Sequence, residues 1–436
     1  MRFSPLSERL ARDDTQAWNV HRLASEMRAR GEDVIMLTIG DPDFDTPPVV
    51  VEAAYASMRA GRTHYAYSQG DPALLAEIAK RASAWAGRTV EPGRVVFFPG
   101  AQAAMFAVCT TVLGEGDEVI VPEPFYATYP GIFAASGATT VNVPLRPENG
   151  FQLDVAEVAA AITGRTRAIV LTTPHNPTGA ALPAETLAAL GELCREHDLW
   201  LISDEVYGSL LFAGREHASV LAVDGAEQRV AGISSLSKSH AMTGWRTGWA
   251  VVPEELRTRL VLLLDCMLFG SPPFISDAAT TALREADEAT ATMRAAYESR
   301  AAVVARIDGQ AGLRCHMPMG GMFIMLDVRA TGISATEFAE RLLEAEGVSV
   351  LPIEAFGPSG RGHVRLALAA DGKTETGSIV WLQSPNDDSG KPRQDDRNPD
   401  ATLRSRPILG LTIVTGLAPD GDEVWDDGRI YDPMSG

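Results

Sequence analysis

From about Thr46 to Leu283 short apolar runs alternate with stretches of helical period, the pattern of parallel strands with helices packed on them. The runs Arg94–Phe98, Glu118–Val121, Thr139–Val143, Ala168–Thr172, Leu199–Ser203 and Arg229–Ile233 predict strands. Ala101–Leu113, Asp154–Ile162 and Ala184–His197 predict helices. PALLAEIAKRASAWAG predicts another, opened by Asp71 as N-cap and Pro72 as its first residue, with Lys80 on the solvated face. Towards Ala369 the pattern changes: a strand (MFIMLDV), a helix (Ser334–Glu346) and two short strands (VSVLP, HVRLALA). The expected architecture is a large α/β domain over 46–283 with a central, mostly parallel sheet. A smaller α+β domain is expected from 1–45 with 284–370. After Ala370 helical period nearly vanishes, and SIVWL and ILGLTIVTGL suggest strands in loop-rich sequence, a partial β domain over 371–436.

Charge narrows the partners. Fifty-seven acids against 38 bases give a net charge of −19, which disfavours nucleic acid and anionic membranes. The most lipid-like stretch, Leu260 to Gly270, is short and broken by Asp265, and MRFSPLSERLARDD lacks a signal-type apolar core. Four dispersed cysteines fit a reduced, cytoplasmic chain. The eight histidines show no paired-ligand spacing, so no metal site is expected.

Base usage singles out one residue. Thirty-four of the bases are Arg and four are Lys: Lys80, Lys238, Lys373 and Lys391. Arg stays protonated, whereas a Lys amine can lose its proton and act as a nucleophile. Lys80 reads as helix surface and Lys373 and Lys391 fall in the polar tail. Lys238, in SSLSKSHAMTGWR, has no helical face to decorate.

Three predicted strands run into polar loops: TPHNPTGA with Asn176, then Asp204 and Glu205 with Tyr207 behind them, then SSLSK with Lys238. Each alone reads as an ordinary turn or cap, but ligands of open parallel sheets bind beyond the strands' carboxyl ends, where these residues would gather. A second constellation suits an anion: Phe97–Gly100 ends a strand, Ala101 and Gln102 open a helix with free N–H groups, and Arg246 supplies a forked donor.

SLSKSHAMTGWRTGW, with PHNPTGA and SDEVY upstream and VRLALA downstream, resembles the pyridoxal-phosphate-dependent class I and II aminotransferases of the aspartate-aminotransferase fold type (fold type I), over residues 1–370. The resemblance implies that Lys238 carries the cofactor aldehyde as an imine and shuttles a proton, while Asp204 pairs with the pyridinium nitrogen. It implies that Asn176 and Tyr207 bond the ring's phenolic oxygen and that Tyr126 stacks on the ring. By the same likeness Arg365 clamps the substrate carboxylate, near Gly40 and Asn176. The phosphate would be held by Ala101, Gln102, Ser235 and Arg246, and by Tyr65 from the other subunit of a homodimer. Substrates would be an amino acid and a 2-oxo acid. HDLWLISDEVY and CMLFGSPPFISDAATTAL further resemble arginine–pyruvate transaminases, with methionine, aromatic amino acids and aspartate as other donors.

The chain departs from that pattern after VRLALA. A long amphipathic helix is expected there, but ADGKTETGSIVWLQSPN follows. GSIVWL, GKPRQDDRNP, LRSRPILGL and DGRIYDPMSG resemble part of a family of small exported bacterial proteins of unknown function, which reads as a junction near Ala370 and raises an impaired fusion product as one alternative. Other readings fare worse. Ser235 to Lys238 spells S-x-x-K, yet the S-D-N and K-T-G elements of that acyl-transfer chemistry are missing. DGKT lacks the P-loop spacing. A β-eliminating lyase on the same scaffold shares the early steps and is separated by its products.

Overall fold

A computed structural model describes residues 3–10, 18–309 and 312–369, together with the strand segments 381–383, 404–408, 411–415, 423–424 and 430–431. Its centre is a seven-stranded sheet. In spatial order the strands are Val95–Phe98, Gly248–Val251, Val230–Ser235, Trp200–Asp204, Thr166–Thr172, Glu118–Glu123 and Thr139–Pro144. Only Gly248–Val251 runs antiparallel to its neighbours.

These strands are apolar along their length because both faces of the sheet are covered. Alternation sorts them: Val95, Phe97, Ile169, Leu171 and Leu201 enter one core, whereas Val96, Phe98, Ala168, Val170 and Ile202 enter the other. Helices Pro72–Ala86, Ala184–Glu196 and Pro273–Glu285 supply apolar side chains to the first core. Helices Ala101–Val112 and Glu254–Met267 supply the second. The helix of Lys80 begins as its sequence predicts, with the Asp71 carboxylate accepting from the Ala73 N–H at 3.0 Å and Lys80 exposed.

A smaller antiparallel sheet orders Leu351–Pro352, His363–Ala367, Phe323–Asp327 and Arg314–His316. A third core lies here, built from Phe323, Ile324, Leu326 and Val364 with Val20, Ala24, Met293, Tyr297, Phe338 and Leu342. In the tail, 411–415 pairs antiparallel with 404–408 and with 381–383, so the strands suggested by ILGLTIVTGL and SIVWL are present. The expected change of character at 370–380 lies outside the described residues. Among the described residues no helix is long and apolar enough to cross a membrane.

Two elements differ from the sequence pattern. VSVLP is two strands, because the chain changes sheet within it: Val348–Ser349 pairs in parallel with Ile35–Met36, and Leu351–Pro352 joins the four-stranded sheet. The other is Gly248–Val251, too short and glycine-led to register as a strand, yet inserted between two strands and fully buried.

That glycine positions the site. A Cβ at Gly248 would lie 2.3 Å from the Ala101 nitrogen and 2.3 Å from the Gly100 carbonyl carbon, both backbone atoms that cannot swing aside. Close packing of the strand start against the helix start therefore requires glycine. Gly248→Ala is expected to cost about 1–3 kcal/mol of stability. Thermal denaturation beside the wild type measures this, and an unchanged midpoint would refute the close approach.

Candidate active site

Three parallel strands in register, with Thr172 opposite Asp204 and Asp204 opposite Ile233, deliver their loops to one edge of the large sheet. A cavity of about 370 Å³ opens there. Gly40, Ala101, Gln102, Tyr126, Asn176, Asp204, Tyr207, Ser235, Lys238, Arg246 and Arg365 all line it. Tyr65 does not: it is 86% exposed, its ring 5.4 Å from that of Phe269. Glu205, next to Asp204, points the other way, accepting from Ser219 Oγ at 2.7 Å and the Val220 N–H at 2.9 Å. Strand alternation makes one carboxylate part of the cavity and the other a buried anchor.

Lys238 reaches the cavity from the loop after Val230–Ser235. Its Nζ donates to the Gly40 carbonyl at 2.5 Å and makes no ion pair among the described residues. Burial lowers its pKa from 10.5 to about 8, helped by the positive charges of Arg365 and Arg246 and opposed by Asp41 and Asp204. Asp204 is shifted the opposite way for the same reason. Burial raises it to about 6, while hydrogen bonds from Tyr129 Oη (2.9 Å) and the Val206 N–H (3.2 Å) favour its ionised form. Tyr129 Oη also lies 2.8 Å from Thr172 Oγ1, so the strand before Asn176 and the helix after Tyr126 jointly hold the carboxylate.

Arg365 comes from the small sheet and is buried. Nη1 donates to Asn176 Oδ1 at 2.8 Å and Nη2 to the Thr38 carbonyl at 2.7 Å, while the guanidinium lies 3.9 Å from the Phe323 ring centre. Its Nε has no hydrogen-bond partner. Burial lowers even this guanidinium, to about 10. The Tyr207 phenol lines the same cavity, and burial pushes its pKa upward.

At the other end, Gly100 adopts φ +95° before the helix Ala101–Val112. A Cβ there would sit 2.4 Å from Arg246 Nη2, so glycine lets the guanidinium lie against the helix start. Backbone N–H groups without helical acceptors and an arginine thus face the same end of the cavity. Tyr129, Thr172, Trp18, Thr243 and Phe323 also line it and were not singled out from sequence. Tyr129 was the most findable, since it lies three residues after Tyr126 in EPFYATYP.

A family model described as aminotransferase class I and II matches residues 32–379, and one described as an uncharacterized protein conserved in bacteria matches residues 357–436. The arginine–pyruvate transaminase AruH of Pseudomonas aeruginosa is 52% identical over 369 residues, covering 84% of this chain and 94% of that protein. The aspartate/prephenate aminotransferase of Thermus thermophilus is 38% identical over 356 residues, covering 80% and 90%. A solved structure of Thermus thermophilus aspartate aminotransferase (a double mutant) superposes with a TM-score of 0.80 at 36% identity, covering 85% of this chain and 96% of that one. The chain belongs to the class I and II aminotransferases, enzymes that exchange an amino group between an amino acid and a 2-oxo acid. Members with this fold use pyridoxal phosphate. The cavity suits that group: an unpaired buried amine at its wall, free N–H groups and Arg246 at one end, a buried carboxyl and a tyrosine beside them.

In the cofactor-free chain Lys238 should titrate near 8. Because the unfolded chain keeps this proton between about 8 and 10.5, the lysine's contribution makes stability rise with pH through that window. Competitive amine labelling with peptide mapping separates Lys238 from the other three lysines. Arg365→Met should move its midpoint upward, and a midpoint near 10.5 in the wild type would contradict the buried, unpaired geometry.

Proposed function

We propose that this chain transfers the amino group of L-arginine to pyruvate, with Lys238 as the amine that tethers the cofactor and moves the proton at the donor's Cα. The observation that carries this reading is the burial of that amine without a carboxylate partner. The choice of donor and acceptor is supported by the similarity to AruH. We assign 46–283 to cofactor binding and 1–45 with 284–370 to the smaller domain, with cytoplasmic chemistry throughout.

The bound cofactor supplies an electron sink that makes the Cα–H bond acidic. The protein's own residues do the rest. Arg365 offers two guanidinium nitrogens to the substrate carboxylate, exchanging its present acceptors at Asn176 and Thr38 for an anion. With the carboxylate held there and Gly40 beside it, the donor's Cα–H is presented to Lys238 Nζ, 2.5 Å from the Gly40 carbonyl. An amine with a pKa near neutrality exchanges a proton in both directions at working pH. Asp204 would hold the cofactor's ring nitrogen. Its carboxyl, raised to about 6 by burial, is returned to the ionised form by a cation placed against it. Asn176 and Tyr207 would hold the ring oxygen, and Tyr126 would pack on the ring face. Ala101, Gln102, Ser235 and Arg246 receive the phosphate.

Tyr65 fits this scheme through a second copy of the chain. It stands among exposed apolar side chains, Tyr67, Leu262, Met267, Leu268 and Phe269, a face suited to burial against a partner. We assign it to the phosphate of the partner's site, in a homodimer.

Two experiments test these assignments. Borohydride reduction of the cofactor-loaded enzyme followed by peptide mapping should place the label on Lys238, and Lys238→Ala should lose both label and activity. Label at any other lysine would overturn the assignment. With pyruvate as acceptor, a panel of amino donors should give fastest alanine formation with arginine, and Arg365→Met should lower kcat/KM about 100-fold or more. Release of pyruvate and ammonia from a sulfur amino acid, without alanine formation, would instead identify an eliminating lyase. For Tyr65→Phe the expected result is a dimer by sedimentation that holds the cofactor about tenfold more weakly; unchanged affinity would remove Tyr65 from the site.

A further inference from the structure

On the small sheet, beginning two residues from Arg365 along its own strand, three potential metal ligands converge that come from separate strands. His316, Asp327 and His363 belong to three adjacent strands. Asp327 is directly opposite His363, and His316 is opposite Met325, two residues before Asp327 on the same face. One ligand atom from each lies within 4.8 Å of the other two. His363 Nε2 is 4.0 Å from Asp327 Oδ2, and the two imidazole rings are 5.5 Å apart.

Two orphaned nitrogens point to a missing occupant. His316 Nε2 and His363 Nε2 are buried and have no hydrogen-bond partner. His363 is only 1% exposed, so water does not satisfy it as it would a surface histidine. Its Nδ1 lies 3.0 Å from the Arg361 carbonyl, a contact that fixes the proton on Nδ1 and leaves the Nε2 lone pair free towards Asp327. A backbone acceptor behind the outer ring nitrogen is the usual support for a metal-bound histidine. Phe151 flanks the pair on another side, its ring 4.9 Å from His316 and 6.0 Å from His363.

We propose that His316, Asp327 and His363 form a site for a divalent transition-metal cation of the zinc class, with a fourth position open to water. Zinc bonds to nitrogen and carboxylate oxygen are about 2.0–2.1 Å, which puts tetrahedral ligand atoms about 3.4 Å apart. The three groups must therefore draw together by about 1 Å, which side-chain rotation supplies. Arg329 opposes the cation: it donates to both oxygens of Asp327, through Nε at 2.9 Å and 3.0 Å and Nη2 at 2.6 Å. The Arg329 backbone N–H also donates to Oδ1 at 2.9 Å, so each oxygen already accepts two hydrogen bonds and the Arg329 guanidinium must move aside before either can bind a metal. Its side chain is half exposed and free to swing outward. An occupied site would pin together the three strands, one of which carries Arg365.

The test uses the cofactor-loaded enzyme after chelation and dialysis. Titration with zinc chloride, followed by calorimetry and by metal analysis after gel filtration, should show saturable binding of one ion per chain and a raised thermal midpoint. Cobalt chloride should give visible absorption typical of nitrogen-ligated four-coordinate cobalt, a readout on the unaltered protein. The double variant H316Q/H363Q should bind more than about 100-fold more weakly, since outer-sphere partners alone are worth about 10–100-fold. His316→Gln alone, on the edge strand, tests the same point should the double variant not fold. No stoichiometric zinc on the wild type, or equal affinity in His316→Gln, would overturn the proposal. Neither result depends on Lys238 or on the donor used.

Discussion

Holding a lysine amine out of water, with a carbonyl but no carboxylate to pair it, is the constraint on which the rest of this site depends. An isolated ammonium in a buried place is costly, and the protein meets that cost by letting the amine approach neutrality. The surroundings keep it there. Arg365 and Arg246 both raise the local positive potential, and the nearest buried carboxyl, Asp204, is itself shifted towards its neutral form. The two perturbations run in opposite directions from a single cause, desolvation, which is how acid and base roles come to be separated within one cavity. A paired Lys238 would be a stronger structural element and a poorer base.

Arg365 answers a different requirement. In the role proposed for it, it presents charge to a carboxylate, yet it starts from another sheet and is wholly enclosed. Its two contacts, to Asn176 on the loop of the large sheet and to the Thr38 carbonyl, tie the four-stranded sheet to the cavity, and the Phe323 ring supports the guanidinium face. The unpartnered Nε shows that this network is incomplete in itself. A ligand anion would relieve a polar shortfall already built into the protein, and under the proposed function that binding energy falls at the residue assigned to position the donor.

Much of this was legible in sequence, for physical reasons. Strands buried on both faces must be apolar throughout, so Thr166–Thr172 and Trp200–Asp204 announced themselves within a residue or two, and with them the loops carrying Asn176, Asp204 and Lys238. Scarcity marked Lys238 before any geometry was known. What escaped depended on contacts between distant segments. Gly248–Val251 is four residues long, and its burial comes from neighbours on both sides rather than from its own pattern. Tyr129 reads as an ordinary aromatic at a helix start until Asp204 and Thr172 are seen to share its hydroxyl. His316, Asp327 and His363 are brought together by strand register alone, which no spacing along the chain encodes.

The two family matches overlap over residues 357–379, and the strand that bears Arg365 lies inside the overlap. Its support, however, comes from upstream. His363–Ala367 is paired on both sides, by Phe323–Asp327 and by Leu351–Pro352. The chain is then tied down residue by residue: the Ala367 N–H donates to the Leu37 carbonyl, the Leu368 N–H to the Met322 carbonyl, and Arg300 Nη1 to the Leu368 carbonyl. Leu366 to Ala369 are buried in the third core. Among the described residues the strand that bears Arg365 is thus held by upstream segments, and the cavity is lined by residues that precede 370.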